Sequence, residues 1–397
     1  MIDVSRKSWL KCLLFGSLYF SEGIELAAIT VLVPIYFEEI GISLSINALI
    51  IAVSAIPWTI KFLWGGIVDY FIGFGRKRFI IVGGLLGSIG FFLLTVVNPT
   101  TALIPFACIM FIGHIGTAFL DVSADAWAIE ITQENERGKI NGAMFAGQYG
   151  GLAVGSSALA ILANQFGYPV AFLTAGLSIL LIILFPLYVH YTRPSEHHQK
   201  VFSLLVHEFK KKTTQLVALF VPFLYLSYGL LFAVMLYMKI ILKLDIAQIG
   251  LITGINCAMI ALGSLIGGGI IDRFGRKPAL YLFITTSIVV TALLVLGTSW
   301  PIFSVLFAII GFLQGGYTAA EGTLCMDVTN PRIGATQFSV LMSLGNIGEI
   351  MGVMVSGAVV ELLGFPRLFL YAAWVFGPAL LVLYYIRIIP ASTQQRG

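Results

Sequence analysis

The chain has 397 residues, of which 58% are hydrophobic and 11% are charged, and its formal net charge is +4. A soluble domain carries about a quarter charged residues, so this composition excludes an ordinary soluble protein and indicates a chain solvated mainly by lipid. The formal net charge says little about partners, and we expect no nucleic-acid partner.

Continuously apolar runs recur along the whole chain, and each is long enough for a membrane-spanning helix. They do not alternate, which favours helices over a β-barrel. The first run is too long and too rich in Glu for a cleaved signal peptide, so we expect it to be retained. We predict an all-α membrane protein with twelve transmembrane helices, spans 1 to 12, at residues 9–36, 44–68, 79–98, 101–129, 139–163, 168–191, 215–241, 246–271, 278–297, 300–327, 335–362 and 366–389.

Most of the 23 Lys and Arg residues fall in loops that this arrangement places on one side. The positive-inside rule therefore predicts a multi-pass protein of the cell membrane with both termini in the cytoplasm. Residues 192–214 form a polar segment that includes His197 and His198. We interpret it as a cytoplasmic linker between two six-helix bundles, residues 1–191 and 215–397.

Two similar loops, about 200 residues apart, indicate that the two halves are duplicates. Gly65–Arg78 reads GGIVDYFIGFGRKR and Gly267–Pro278 reads GGGIIDRFGRKP. Six spans repeated once predict two bundles related by a pseudo-twofold axis along the membrane normal, an arrangement typical of carriers. The residues that define the two loops are Gly65, Asp69, Gly75 and Arg76 in the first copy, and Gly268, Asp272, Gly275 and Arg276 in the second.

The paired loops resemble the signature of the major facilitator superfamily. A narrower resemblance, to the branch of anhydromuropeptide permeases and acetyl-coenzyme A transporters, rests on four stretches: Phe20–Gly23 (FSEG), Lys61–Trp64 (KFLW), Asp121–Trp127 (DVSADAW) and Glu136–Gly138 (ERG). The first resemblance implies the major facilitator fold and solute transport by alternating access. The second implies import of an anionic or sugar-peptide-like compound.

The superfamily resemblance also implies that the loops form a cytoplasmic latch, which holds that side shut. Asp69 would face the start of span 11 near Ala335, and Asp272 the start of span 5 near Lys139, since a carboxylate stabilises a helix N-terminus. The first copy has three additional residues, such as Ile72–Phe74, which predicts a looser latch. The alternative is that the basic residues only fix the topology.

Ionisable side chains inside the spans are the first candidates for function, because burying them in lipid is costly without a role. Glu22 and Glu25 are neighbours on span 1, at i and i+3. Two carboxylates this close repel when both are ionised, so one should hold a proton near neutral pH. The pair is therefore a candidate for proton coupling; the alternative is a structural pair that is buried against another helix or hydrogen-bonded to the Tyr residues around it.

Lys61 in span 2 lies at a depth similar to that of Asp121 and Asp125, which are one turn apart in span 4. Either Lys61 forms a fixed salt bridge with them, or the bridge opens for an anionic solute. Further candidates for proton coupling are Asp121, Asp125, His114, Glu321 and Glu349, and the candidates for solute binding are Lys61, Tyr19, Gln148, Asn256, Gln314 and Asn346.

Small residues recur at every fourth position in spans 5 and 11. They are Gly147, Gly151 and Gly155 in span 5, and Gly348, Gly352 and Ser356 in span 11. Such spacing lets two helices approach closely. The superfamily resemblance implies that these stripes pack against spans 8 and 2, across the two halves.

The chain has no P-loop and no catalytic motif, so we expect neither an enzyme nor an ATP-driven pump, and no cofactor or metal. The leading hypothesis is a monomeric secondary carrier that takes up a small or medium polar solute together with protons. Two alternatives remain open: a proton-driven multidrug effluxer, and a membrane receptor or scaffold that does not transport.

Overall fold

The computed structural model describes residues 3–4, 7–190 and 200–387, so His197 and His198 of the predicted linker lie outside the described residues. Within these residues, twelve helical segments are long and apolar enough to cross a membrane, which confirms the predicted fold class. Spans 1 to 12 are Ser8–Glu39, Ser45–Tyr70, Arg76–Leu94, Leu103–Ile131, Glu134–Phe166, Tyr168–Tyr188, Lys212–Ile240, Gln248–Phe274, Arg276–Leu296, Trp300–Val328, Pro331–Leu363 and Phe365–Tyr385.

Span 1 contains a change of helix type. The α-helix Ser8–Ala27 passes into a π-helical turn, Ala28–Leu32, and then into the α-helix Val33–Glu39. Span 7 is also interrupted: the α-helices Lys212–Leu230 and Val234–Ile240 flank a 3₁₀ turn. Short π-helical turns occur frequently at functional sites, and this one lies just beyond Glu25.

Span 2 consists of three short helices, Leu44–Ser54, Ile56–Thr59 and Lys61–Tyr70. Pro57 occupies the first turn of the middle helix, where its missing N–H costs little. Ile60 leaves the helical region, and the last helix starts at Lys61. Trp64 spans the break by donating its indole N–H to the carbonyl of Pro57 at 2.9 Å.

The remaining spans are more regular. Spans 5 and 11 each begin with a 3₁₀ turn, span 9 ends in one, and span 12 is divided near its middle. Span 5 comprises Glu134–Glu136 and Arg137–Phe166, and span 11 comprises Pro331–Ile333 and Gly334–Leu363. Span 9 comprises Arg276–Leu293 and Leu294–Leu296, and span 12 comprises Phe365–Trp374 and Phe376–Tyr385. An additional α-helix, Val201–Phe209, lies in the predicted linker.

The chain forms two compact units. The first comprises Met1–Ile131, Ala143–Val201 and Pro331–Ser339, and the second Thr132–Gly142, Phe202–Asn330 and Val340–Gly397. Each unit thus includes the start of one helix from the other half of the sequence, span 11 in the first and span 5 in the second. The predicted division at residues 192–214 stays a prediction.

The glycine stripes pack differently from the expectation. A Cβ atom on Gly147 would meet the carbonyl oxygen of Gly16 in span 1, and one on Gly348 would meet that of Pro222 in span 7. The contacts expected for the stripes occur nearer the helix starts instead: Gly142 packs on Ser264 of span 8. Spans 5 and 11 therefore do contact spans 8 and 2, near their starts, whereas the stripes themselves pack on the first span of their own half.

Candidate functional site

Polar side chains from spans 1, 2, 4 and 5 come together inside the first unit. We call this group the N-half polar cluster; its members are Tyr19, Glu22, Lys61, Asp121, Asp125 and Gln148. Its four charged members are at most 5% exposed. Asp121 and Asp125 lie on one side of span 4 because residues four apart are neighbours on a helix.

The only cation in the N-half polar cluster is Lys61. Its Nζ lies 2.8 Å from Asp121 Oδ2 and 5.0 Å from the centre of the Trp58 ring. Lys61 begins a helix, where the helix dipole opposes a positive charge. The paired carboxylate and the aromatic face compensate for this unfavourable position.

The other two carboxylates have weaker partners. The Tyr19 hydroxyl donates a short hydrogen bond to Asp125 Oδ1, and Gln148 Nε2 lies 3.5 Å from Glu22 Oε2. Among the described residues, the second oxygens of Glu22 and Asp125 are buried without a hydrogen-bond partner. The cluster therefore contains three carboxylates for one ammonium, with two oxygens available to accept a proton or a ligand.

Glu25 faces different neighbours from Glu22, although the sequence suggested one pair. It lines a small cavity between spans 1, 3 and 4, where Gly87 and Gly113 leave space beside it. Its Oε2 atom has no hydrogen-bond partner among the described residues. His114 is also buried, with its ring centre 5.9 Å from that of Trp58. His114 therefore shares the Trp58 ring with Lys61, whereas Glu25 faces the cavity.

The candidate carboxylates of the second half are Glu321 and Glu349. Glu321 is fully buried and accepts a hydrogen bond from Cys325 Sγ, one turn along span 10, at 3.2 Å. Glu349 in span 11 is partly buried, close enough to Tyr228 and Tyr317 for electrostatic interaction.

The predicted polar contacts of this half divide into two kinds. Asn256 donates to the carbonyl of Phe307 at 2.6 Å and so connects span 8 to span 10. This structural contact is enough to explain a buried Asn at this position. Gln314 is hydrogen-bonded to Tyr228. Asn346 is half-buried, and its Nδ2 has no hydrogen-bond partner among the described residues.

The first predicted latch is a buried network around Asp69. Its carboxylate accepts hydrogen bonds from the backbone N–H groups of Ala335 at 3.3 Å and Thr336 at 2.7 Å, and from the Thr336 hydroxyl at 2.6 Å. Arg76 Nη1 lies 2.6 Å from the same carboxylate, and its Nε lies 2.8 Å from Glu130. Gly65 makes this possible because a Cβ there would meet the backbone of Ala335.

The second predicted latch has a similar arrangement, with fewer hydrogen bonds to its aspartate. Asp272 accepts from the backbone N–H groups of Gly138 at 2.8 Å and Lys139 at 3.0 Å. Gly268 lies against the backbone of Gly138, as Gly65 does against Ala335. Arg276 pairs with Asp327 at 2.7 Å instead of with Asp272.

The expectation of a looser first latch was wrong. The three additional residues form a 3₁₀ turn, Ile72–Phe74, that ends at Gly75. Gly75 has φ of 89°, and Gly275 of the second copy has 90°, a conformation that glycine adopts without strain. Because the turn absorbs the insertion, Arg76 reaches Asp69, which is completely buried.

Sequence reasoning missed several partners of the loops. Glu130 and Asp327 end spans 4 and 10 and bind the two loop arginines, while Arg137 also pairs with Asp327, at 2.7 Å. Their position was the available signal: each half has a carboxylate shortly before the loop that precedes span 5 or span 11.

The loop lysines have another role. Lys77 donates to the carbonyls of Leu187 and Val189, at 3.1 and 2.9 Å. Lys277 donates to those of Tyr384 and Ile386, at 3.0 and 2.8 Å. Each Gly-Arg-Lys sequence therefore joins a carboxylate through its Arg and satisfies the carbonyls at the end of span 6 or span 12 through its Lys.

Known proteins resemble the chain over nearly its whole length. Multidrug resistance protein MdtG of Serratia proteamaculans is 24% identical, over 93% of this chain and 90% of the relative. Putative transporter AmpG 4 of Rickettsia conorii is also 24% identical, over 92% of this chain and 93% of the relative.

Solved structures share the fold at low identity. The human organic anion transporter MFSD10 has a TM-score of 0.77 at 14% identity, and covers 95% of this chain and 99% of its own. The Escherichia coli fucose:proton symporter FucP has a TM-score of 0.76 at 14% identity, with 96% and 100% covered. The sequence profile of the Major Facilitator Superfamily matches residues 15–223 and 217–397, and the chain belongs to that superfamily of membrane transporters.

Proposed function

We propose that this transporter is a monomeric importer of an anionic solute, such as a sugar-peptide-like compound, driven by protons. The N-half polar cluster would bind both the anion and the proton. The observation that carries the proposal is the buried salt bridge of Lys61 and Asp121, beside two further carboxylates, Glu22 and Asp125, each with one oxygen that has no hydrogen-bond partner among the described residues.

The charges of the cluster suggest how the two substrates are coupled. A buried salt bridge is costly to desolvate and is held only while both partners remain in place. A carboxylate or phosphate of the solute would compete with Asp121 for Lys61. The released Asp121 would then bind a proton, because a second unpaired negative charge beside Asp125 and Glu22 is unfavourable. One anion and one proton would bind together, and the net charge of the site would not change.

The relatives support two different solute classes. MFSD10 is an organic anion transporter and FucP a proton symporter, while AmpG 4 belongs by name to the branch that the motifs resemble. The MdtG relative favours the alternative of a proton-driven multidrug effluxer. We prefer the anion because Lys61 is a buried cation that a carboxylate or phosphate of the solute could bind in place of Asp121.

Uptake by proteoliposomes tests the proposal. Vesicles with an inward proton gradient would receive three probes in turn: a 1,6-anhydromuropeptide, a simple organic anion, and a cationic dye. Accumulation of either anion that collapses with a protonophore supports the proposal. Movement of the dye alone identifies an effluxer. If a folded protein moves none of the probes, the result favours the alternative of a receptor or scaffold that does not transport.

Matched variants locate the site. Lys61→Met should abolish anion uptake, whereas Lys239→Met, at an exposed lysine of span 7, should leave it unchanged. Asp121→Asn and Glu22→Gln should permit anion exchange but end its dependence on the proton gradient. If Lys61→Met transports the anion with wild-type affinity, the proposed role of the salt bridge is wrong.

We also propose that the protein lies in the cell membrane with both termini in the cytoplasm. The distribution of Lys and Arg supports this orientation. Fusions of a fluorescent protein or a periplasmic phosphatase to the C-terminus distinguish the two orientations. Phosphatase activity at the C-terminus would contradict the proposal.

A further inference from the structure

The helix Val201–Phe209, which we call the linker helix, is not explained by solute transport. Within the described part of the chain, it begins after Lys200 and is followed directly by Lys210–Lys212, which we call the lysine run. Span 7 begins at Lys212, the last member of the lysine run. Chain connectivity therefore keeps the linker helix within a few residues of the membrane surface.

One side of the linker helix is fixed to the second unit. Glu208 is 3% exposed, and it accepts a hydrogen bond from Asn330 Nδ2 at 2.9 Å. It also pairs with Lys211 at 2.5 Å, while the side chain of Lys211 remains 55% exposed. These contacts hold the linker helix beside the end of span 10 and neutralise its acidic residue.

The other side presents apolar residues to the surroundings. Phe202 is 78% exposed and Val206 is 41% exposed, and they lie four residues apart on one face. Phe209 continues this face one turn later and is partly exposed. An apolar stripe of this kind beside a membrane span is typical of a helix whose apolar face enters the lipid headgroup region.

The charges beside this stripe are positive. Lys200 and all three lysines of the lysine run are exposed, and the single carboxylate of the linker helix is already paired. Clusters of Lys next to a membrane span attract anionic lipids at the cytoplasmic surface. We propose that the linker helix lies in the membrane–water interface and, with the lysine run, binds the headgroups of anionic phospholipids.

Lipid titration of the full-length protein in detergent tests the headgroup contact. Short-chain phosphatidylglycerol should raise the unfolding temperature at lower concentration than phosphatidylcholine does. Each lysine near a surface changes affinity by about fivefold, so the triple variant Lys210→Gln, Lys211→Gln, Lys212→Gln should need at least about tenfold more phosphatidylglycerol. The control Lys239→Gln, Lys243→Gln, Arg367→Gln removes equal charge elsewhere and should behave as wild type.

A second measurement tests the apolar face without depending on charge. In a variant whose four cysteines are replaced by Ser, Val206→Cys is labelled with a polarity-sensitive fluorophore. Its emission in nanodiscs that contain phosphatidylglycerol should be shifted to the blue relative to its emission in nanodiscs of phosphatidylcholine. An unchanged emission, or an equal effect of both lipids on wild type and triple variant, would overturn the proposal. A shift that follows protein concentration in detergent would instead identify a second copy of the chain as the occupant.

Discussion

Replacement of Asp69 by Asn should destabilise the protein far more than the equivalent change at Asp272. Asp69 is completely buried and accepts three hydrogen bonds from Ala335 and Thr336, besides its ion pair with Arg76. Asp272 is half-buried and accepts two backbone hydrogen bonds. The two sites are copies of one motif, so each serves as the control for the other.

The expected losses of unfolding free energy follow from the contacts of each aspartate. Removing one partner of a buried ion pair costs about 3–5 kcal/mol, because the other charge is left uncompensated. For Asp69→Asn we expect about 3–4 kcal/mol, since Arg76 keeps Glu130 at 2.8 Å. For Asp272→Asn we expect about 1–2 kcal/mol, because the amide oxygen can still accept one backbone bond and water reaches the site.

Equilibrium unfolding of the purified variants in SDS, followed by circular dichroism, measures both losses. The double variant Asp69→Asn, Arg76→Gln completes a thermodynamic cycle, and we expect a coupling energy of about 2 kcal/mol. The reasoning is refuted if Asp272→Asn costs as much as Asp69→Asn, or if Asp69→Asn stays within about 0.5 kcal/mol of wild type.

Three further predictions concern other contacts. Lys61→Met should cost about 3–5 kcal/mol of unfolding free energy. The added change Asp121→Leu should restore most of this stability, because an apolar pair replaces the ionic one. A double variant that is less stable than the single variant contradicts this prediction. Gly23→Ala should lower the unfolding temperature, because its Cβ would meet the backbone of Gln148. Gly66→Ala, whose Cβ would have nothing within 4 Å, should raise the unfolding temperature slightly. Equal shifts of the two variants in thermal melts would show that helix packing is not the cause. Lys77→Gln and Lys277→Gln should each cost about 1–2 kcal/mol through lost bonds to helix carbonyls, against about 0.5 kcal/mol or less for the exposed Arg78→Gln, as measured by the same SDS unfolding.

The fold could be predicted from the sequence because lipid allows few solutions. Long apolar runs can only be helices, and the repeated loops identify the duplication, so the twelve spans follow with errors of a few residues. The backbone partners of Asp69 and Asp272 also followed, because the resemblance placed each carboxylate at a particular helix start.

The site was less predictable, because side-chain neighbours depend on helix rotation. Glu22 and Glu25 are three residues apart, yet one faces Gln148 and the other a cavity between spans 3 and 4. Glu130 was missed because an acidic residue at a helix end is usually solvated, and its position before the loop, repeated by Asp327 in the second half, does not by itself identify Arg76 as its partner. The assigned roles in transport stay predictions.

The π-helical turn at Ala28–Leu32 has a consequence for how Glu25 can move. A π-helical turn holds one residue more than the α-helical turns around it. If it migrates toward the N-terminus by one turn, each residue that it passes rotates by about 100° around the helix axis. Glu25 is the first ionisable side chain on that route, and Glu22 the next. Span 1 can thus re-aim one acidic group at a time, while the residues on either side of the displaced turn keep their places.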